Sequence, residues 1–516
     1  MVSYAISRRL SLILKVTDEH RDYLRFLWFR EIFIERMDVI TLRFNRVLFG
    51  LTSSPFLLNG TIKCHLNKEL ENGADSKVIA LLLQGLYVDD PTVSVNSAIE
   101  GKNFHDKAKL YLQRAGFTLH KWATNNHELR NLIEETVDLC NNDVTYVEDI
   151  FGKSENYRKV LGVNWDISTD ELVLELSTIG EKAVQLLCTK RNILKIGASF
   201  FDPLGLICPV VLQIKLLFKE ICGIKIDWDT VIHDALSSRW QIFLNDLISA
   251  GEIRLPRYIH NKVRGDIVSF ELHGFADSSK EAYAALVYLR VMTSSRIFQT
   301  SLVSAKSKIA PAKIKTIPRL ELMSCLLLSK LIYSVIEAMD GRVQINTVVC
   351  WSDSEVALYW IRGLRKEWDS WVERRVQKIR SIAAIDDWRH VPGLLNPADL
   401  ATREGRISKL INERWWYGPT FLDGSDWPDD QTVNSEVPNE CLTETKKCDN
   451  VKYTKTNIAA TEGENEQEFT RYSKSLDAVF DMKRFGSFEK LCNVTAIVLR
   501  FVRNLKNPRT QKKGQN

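Results

Sequence analysis

Residues 268–277 read Val-Ser-Phe-Glu-Leu-His-Gly-Phe-Ala-Asp, an apolar strand pattern that delivers one carboxylate, Asp277, at its carboxyl end. Three more acids follow in related settings. Glu321 stands just past Pro318-Arg319, in what the sequence predicts to be the first turn of a strongly apolar helix, where Pro suits the opening position and an acid suits the helix dipole. Asp353 ends the apolar strand Asn346-Thr-Val-Val-Cys-Trp-Ser-Asp, and Asp399 lies in Asn396-Pro-Ala-Asp-Leu, nine positions after His390. Two strand-end acids, a helix acid and a late acid converge only if the strands are neighbours and the helices pack on them. That is the geometry of a carboxylate cage for divalent metal. Without cations, four like charges a few ångströms apart push one another's pKa up, so the cluster makes sense when metal fills it.

Composition bounds the rest of the chain. The 516 residues, 45% hydrophobic and 26% charged, describe globular material sufficient for roughly two to four domains. A net charge of +5 permits a polyanionic partner without demanding one. The ten cysteines include no Cys-x-x-Cys pair and sit mostly in apolar runs, which predicts free buried thiols in a reducing compartment. No apolar run approaches the ~18 residues of a membrane span, so a soluble protein with no membrane partner is expected. Met1 to Val16, with Arg8, Arg9 and no acid, superficially resembles a targeting peptide, but no signal segment is assigned.

Along the chain, alternation in Thr41-Leu-Arg-Phe-Asn-Arg-Val-Leu-Phe-Gly50 suggests a strand, and Thr52-Ser-Ser-Pro-Phe56 can cap a helix towards Glu71. The run Val78 to Tyr87 ends in Val88-Asp89-Asp90, with a turn expected at Pro91. Residues 97–115 predict an amphipathic helix, Gly116 to Trp122 a short strand, and Val160 to Asp166 a strand with its hairpin partner over Glu171 to Leu176. Residues 177–250 are helical in period, broken by the two prolines and glycine of Phe201-Asp-Pro-Leu-Gly-Leu-Ile-Cys-Pro209. Strands over 268–276, 282–291 and 297–305, a helix over 319–338, a strand over 346–352, helices over 354–384, a strand over 387–391 and a last helix predict a mixed α/β sheet.

The acids suit two-metal phosphoryl chemistry, which needs carboxylates holding a pair of Mg²⁺ or Mn²⁺ ions ~3.5–4 Å apart. His390, on the loop before the last helix, could shuttle a proton or eject product. A single Asp or Glu is more often a solvated surface group. The combination with His390-Val-Pro-Gly-Leu-Leu-Asn-Pro-Ala-Asp399 reverses that expectation.

These segments closely resemble the ribonuclease H domain of Pao/BEL-type long-terminal-repeat retrotransposon polyproteins. Glu271-Leu-His-Gly-Phe-Ala-Asp-Ser-Ser-Lys-Glu-Ala-Tyr-Ala-Ala, Thr316-Ile-Pro-Arg-Leu-Glu-Leu, Cys350-Trp-Ser-Asp-Ser and Trp388-Arg-His-Val-Pro are family-like in order and spacing. The resemblance implies metal-dependent cleavage of the RNA strand of RNA/DNA hybrids, with Asp277, Glu321, Asp353 and Asp399 as ligands and His390 assisting. Lys306, Lys308 and Arg319 are candidates for phosphate contacts.

Residues 18–166 resemble the reverse transcriptase palm of the same family. Phe49-Gly-Leu-Thr-Ser-Ser-Pro-Phe56 looks like the motif that meets nucleotide and template, through Phe49, Gly50 and Ser54. Tyr87-Val-Asp-Asp90 looks like the catalytic turn, with Asp89 and Asp90 as metal ligands. Phe117 to Trp122 carries the following lysine motif at Lys121, and Val160-Leu-Gly-Val-Asn-Trp resembles the primer grip. The family's bridging Asp on an earlier strand has no counterpart, because Tyr4 to Leu14 contains no carboxylate. The resemblance therefore implies a Pol fragment with a ribonuclease H site and a defective polymerase palm. Two alternatives stay open: a non-catalytic nucleic-acid-binding relic, and a working polymerase whose amino-terminal part was lost in gene prediction.

The expected fold class is α/β and α+β multidomain. It comprises a partial reverse transcriptase over 1–166, a mainly helical thumb and connection over 167–260, a ribonuclease H-like domain over 266–410 and a Trp-rich extension over 411–428. A disordered linker over 429–470 and a basic helix over 471–516, like the segment before an integrase, complete it. The implied partners are RNA/DNA hybrid and template-primer, in cytoplasmic virus-like particles with access to the nucleus. Arg374, Arg375, Lys378 and Arg380 could line a phosphate track or form a solvated helix face. The tryptophans are expected mainly in cores and interdomain packing.

Overall fold

The computed structural model describes residues 2–6, 14–29, 39–48, 50–87, 90–117, 119–134, 157–160, 163–233, 235–260, 263, 265–311, 316–363, 368–429 and 441. The chain divides into two compact units, Met1–Lys446 and Lys447–Asn516, and every described residue lies in the first. The basic helix expected over 471–516, and all but Asp429 and Cys441 of the expected linker, lie outside the described residues.

The amino-terminal part opens with β1 (Val2–Ile6), α1 (Asp18–Arg21) and a hairpin of β2 (Arg25–Phe29) and β3 (Val39–Arg43). Helices α2 (Ser54–Glu71) and α3 (Ser76–Gly85) follow, then β4 (Leu86–Tyr87), β5 (Asp90–Val93), α4 (Ala98–Arg114), β6 (Leu119–Thr124) and α5 (His127–Glu134). Four strands form one sheet in the order β4-β5-β1-β6. The stretch that superficially resembles a targeting peptide thus supplies an interior strand. Helix α4 begins where Ser97 Oγ accepts from Glu100 N and buries Phe104, Ala108 and Leu112 at helical spacing. These side chains meet Ile62 and Leu66 of α2 and Ile79 and Leu82 of α3. The turn expected at Pro91 is displaced: Tyr87 pairs with Asp90 and Leu86 with Pro91, so the chain reverses before the proline, which sits inside β5.

A second antiparallel sheet, β10-β9-β8-β7, follows from β7 (Tyr157–Val160), β8 (Val163–Asp166), β9 (Glu171–Glu175) and β10 (Glu252–Pro256). The turn between β8 and β9 holds Asp170 at a φ of 57°, and its carboxylate accepts from buried Trp165 Nε1 at 2.9 Å and from Arg257 at 2.7 Å. Four helices intervene before β10: α6 (Leu176–Val184), α7 (Lys190–Gly197), α8 (Cys208–Gly223) and α9 (Ala235–Ala250).

The third sheet positions the site. Its strands are β11 (Ile267–Ser278), β12 (Ala282–Thr293), β13 (Phe298–Ile309), β14 (Thr347–Ser352) and β15 (Trp388–His390), in the order β13-β12-β11-β14-β15. The first three strands pair antiparallel, and β14 and β15 join β11 in parallel. Helix α10 (Ile317–Met339) crosses one face so closely that a Cβ on Gly274 of β11 would lie 2.5 Å from Leu328 Cδ1. Helices α11 (Glu355–Arg362) and α12 (Ser370–Arg380) pack beside it. By length and composition α10 could cross a membrane, contrary to the expectation that no segment reaches that measure. Its apolarity has a local cause: Leu320, Leu322, Cys325, Leu328 and Ile332 are buried in the core shared with β11 and β12.

The opposite face shares one core with α6 to α9 and the segment 407–427. Phe275, Tyr288, Leu302 and Trp351 pack with Leu217, Trp240, Leu244 and Trp415. At the sheet edge Ala305 N donates to Leu204 O at 2.8 Å, and Gly205 fits there only as glycine. Its φ is +77°, and an added Cβ would lie 1.7 Å from Ala305 O. The Asp-Pro-Leu-Gly turn therefore covers the backbone of an edge strand that would otherwise stay open. Trp165, Trp240, Trp360, Trp368 and Trp415 are all buried. Cys188, Cys208, Cys325, Cys350 and Cys441 are buried free thiols, whereas Cys64 and Cys222 are exposed.

Candidate metal centre

Parallel pairing of β11 with β14 decides where the acids fall. Ala276 is level with Ser352, so Asp277, still paired with Ala284 of β12, and Asp353, just past the end of β14, stand side by side at the same end of the sheet. Glu321 comes from α10, one turn later than the sequence suggests: Ile317, Pro318 and Arg319 open the helix, and no acid lies in its first turn. Glu321 is thus placed by the helix face that packs on the sheet, and the dipole argument does not apply to it. Asp277, Glu321 and Asp353 each offer an oxygen within 4.8 Å of the others.

Asp399 falls outside this 4.8 Å trio, yet its charge raises both Asp277 and Asp353. It lies in a 3₁₀ turn, Pro397–Ala401, where a last helix is expected, and its Oδ1 is 2.5 Å from Arg403 Nε. The 3₁₀ turn forms because Asn396 Oδ1 accepts from Ala398 N and so closes the chain locally. His390 ends β15 level with Ser352; it is buried, and its Nδ1 has no partner among the described residues.

The electrostatics are those of an anionic cavity. Burial, then the nearby Asp353, push the Asp277 carboxyl up to about 7, against the hydroxyl of Thr402, which donates to its Oδ2 at 2.5 Å. Glu321 is held well above the ordinary carboxylate range by burial first and then by Asp277 and Asp353. Asp353 is raised by burial, opposed by the amide of Asn396, which donates to its Oδ1 at 3.1 Å. Glu321 Oε2 is buried without a hydrogen-bond partner among the described residues. Three clustered oxygen donors, raised carboxyl pKa values and an orphaned carboxylate oxygen fit a hard divalent cation. Asn396 and Thr402 escape sequence reasoning. The only signal is their polarity within a segment whose neighbours are buried.

The other candidates separate by what they touch. The Arg319 guanidinium lies 4.9 Å over the Trp371 ring and 3.6 Å from Asp369, so it is already engaged. Arg375 stacks on the same ring at 3.5 Å. Arg380 donates to the carbonyls of Trp360, Ile361 and Gly363, which corrects its reading as part of a phosphate track. Lys306 and Lys308 are exposed on β13, and Lys378 is exposed on α12.

In the amino-terminal part, Tyr87 is exposed, Gly50 has a φ of +87°, and Ser54 is buried with its hydroxyl on Leu48 O. Asp90 and Lys121 lie on β5 and β6; Phe49 and Asp89 lie outside the described residues. β1 is the sheet neighbour of β5, with Ser3 level with Thr92, and none of its five residues is an acid.

A mixed five-stranded sheet of this order, with acids near the ends of β11 and β14 and on the crossing helix, lies within a multidomain α/β chain. A family model described as the Pao retrotransposon-like RNaseH-like domain matches residues 189–354. The match takes in Asp277, Glu321 and Asp353 as well as α7, α8 and α9. Among solved structures, the N-terminal RNase H domain of rv2228c from Mycobacterium tuberculosis is similar at 14% identity and a TM-score of 0.18, over 25% of this chain and 86% of that one. RNase H1 from the halophilic archaeon Halobacterium salinarum is similar at 14% identity and 0.17, over 25% and 88%. The foamy viral protease-reverse transcriptase, in complex with dsDNA, is similar at 14% identity and 0.21, over 76% and 70%. No curated protein matches the chain.

Proposed function

We propose that this chain hydrolyses the RNA strand of RNA/DNA hybrids at a divalent-metal centre held by Asp277, Glu321 and Asp353, with Asp399 completing the ligand set. The observation that carries the reading is the meeting of three carboxylates within 4.8 Å, one of them with an unpartnered buried oxygen. Mg²⁺ or Mn²⁺ bound there would supply an activated water and stabilisation of the leaving oxygen. The chain's own contribution is orientation: a strand end for each Asp, a helix packed tightly on the sheet for Glu321, and burial that excludes bulk water. His390 can exchange a proton through its unpartnered Nδ1. Asp399 joins the trio by giving up Arg403, an exchange made easy by the arginine's exposure.

The polymerase palm is read as inactive. Asp90 sits on β5 beside a β1 that supplies no carboxylate, so one ligand of a two-metal polymerase site is absent from the neighbouring strand. Primer extension on a template should therefore be undetectable.

The test is cleavage of a labelled RNA/DNA hybrid with Mg²⁺, comparing the wild type with Asp353→Asn. Loss of a direct ligand should lower the rate by about a hundredfold or more, since even outer partners of metal ligands are worth roughly ten- to a hundredfold. Hybrid binding by the folded protein with no cleavage by either form leaves a non-catalytic binding role instead.

A further inference from the structure

The segment that carries Asp399 also reaches back to the other acids. Asn396 is fully buried, and its two amide hydrogens are both used: Nδ2 donates to Ala276 O at 2.9 Å and to Asp353 Oδ1 at 3.1 Å. Thr402 is likewise buried, and its hydroxyl donates to Asp277 Oδ2. Thr402 is itself anchored, because its carbonyl accepts from Ser279 Oγ at 2.9 Å. Each donor occupies one oxygen of one acid. On the other side of Asp353 the chain keeps space open, since a Cβ on Gly393 would lie 3.0 Å from Oδ2. Buried polar side chains demand partners, and these two find theirs on the acids of a single cavity.

We infer that Asn396 and Thr402 are positioning residues of the metal centre, each fixing one oxygen of its acid so that the other oxygen faces the cation. The inference rests on the metal-centre reading above. It assigns to one short segment both the delivery of Asp399 and the aim of Asp353 and Asp277. A carboxylate that swings freely loses part of its affinity to the entropy of being aimed, and partners one step removed from a metal are typically worth ten- to a hundredfold in affinity.

The experiment is calorimetric titration of the full chain with Mn²⁺ in the absence of nucleic acid, for the wild type, Thr402→Val, Thr402→Ser and Gly393→Ala. Melting of each metal-free form serves as the folding control. Thr402→Val keeps the shape and removes the donor, so Mn²⁺ affinity should fall about tenfold or more, whereas Thr402→Ser should stay within about twofold of the wild type. Gly393→Ala, on an exposed turn, should weaken Mn²⁺ several-fold by crowding Asp353 Oδ2, and it carries the test if Thr402→Val does not fold. Wild-type affinity in both Thr402→Val and Gly393→Ala, or equal losses in the Ser and Val variants, would overturn the positioning role. A folded wild type that takes up no Mn²⁺ would instead sink the metal-centre reading, and this inference with it.

Discussion

Replacing Asp277 by Asn should make the metal-free protein more stable at alkaline pH. The Asp277 carboxyl is raised from 3.8 to about 7, so the folded chain holds a proton there that the unfolded chain has already released. Stability therefore falls as pH rises from about 4 to about 7 and stays low above that window. At 1.36 kcal/mol per pH unit, the raised Asp277 pKa costs the fold roughly 4 kcal/mol at pH 8 and about 1.5 kcal/mol at pH 5, relative to acid pH. Asn keeps the shape, its amide can donate to the Thr402 oxygen, and its removal of charge relieves Glu321, which burial and then Asp277 and Asp353 hold up. For a cooperative unit spanning Met1–Lys446 the gain is on the order of 4 °C in Tm at pH 8 and about 1–2 °C at pH 5. The assay is thermal melting in a chelator at both pH values, then with saturating Mg²⁺. Metal should recover the wild type at pH 8 and do far less for Asp277→Asn. A variant that melts below the wild type at pH 8 without metal, or a wild type whose stability rises with pH, would refute the electrostatic reasoning.

Two further outcomes follow from the packing. Arg290→Met should cost about 3–5 kcal/mol, read as a lowered denaturation midpoint. It strips Glu271 Oε2 of a 2.6 Å ion pair beside buried His273 and releases the carbonyls of Leu422 and Gly424. Gly205→Ala should cost at least about 3 kcal/mol and loosen the helical segment from β13, because a side chain at a φ of +77° would drive into Ala305 O. Protease sensitivity near residue 205 that matches the wild type would contradict it.

Much of this protein is legible in the chain. The apolar strands ending in Asp277 and Asp353, the three-strand meander, α4 and the crossing helix α10 are local patterns of period two or 3.6, and such patterns survive without a structure. The misreadings are equally local in cause. Pro91 punctuates a turn in most sequences, yet here strand pairing carries it inside β5. Glu321 follows a helix-opening proline, yet it serves the face toward the sheet. The helix over 319–338 is legible, but its membrane-span apolarity is hidden by Glu321, Ser324 and Ser329, polar residues that a helix packed on several sides can still bury.

What tertiary structure alone decides is which distant residues meet. Nothing in the periodicity of β11 or β14 states that they pair in parallel with Ala276 level with Ser352, and that register is what brings two acids to one cavity. Asp399 bound to Arg403, Thr402 on Asp277 and Asn396 on Asp353 are likewise products of the folded chain. So is the core that α6 to α9 share with the sheet. The physical reason is that residue types and spacing encode the chain's local preferences. The pairing of remote strands and the aim of buried donors are set by burial and hydrogen-bond satisfaction across the whole fold.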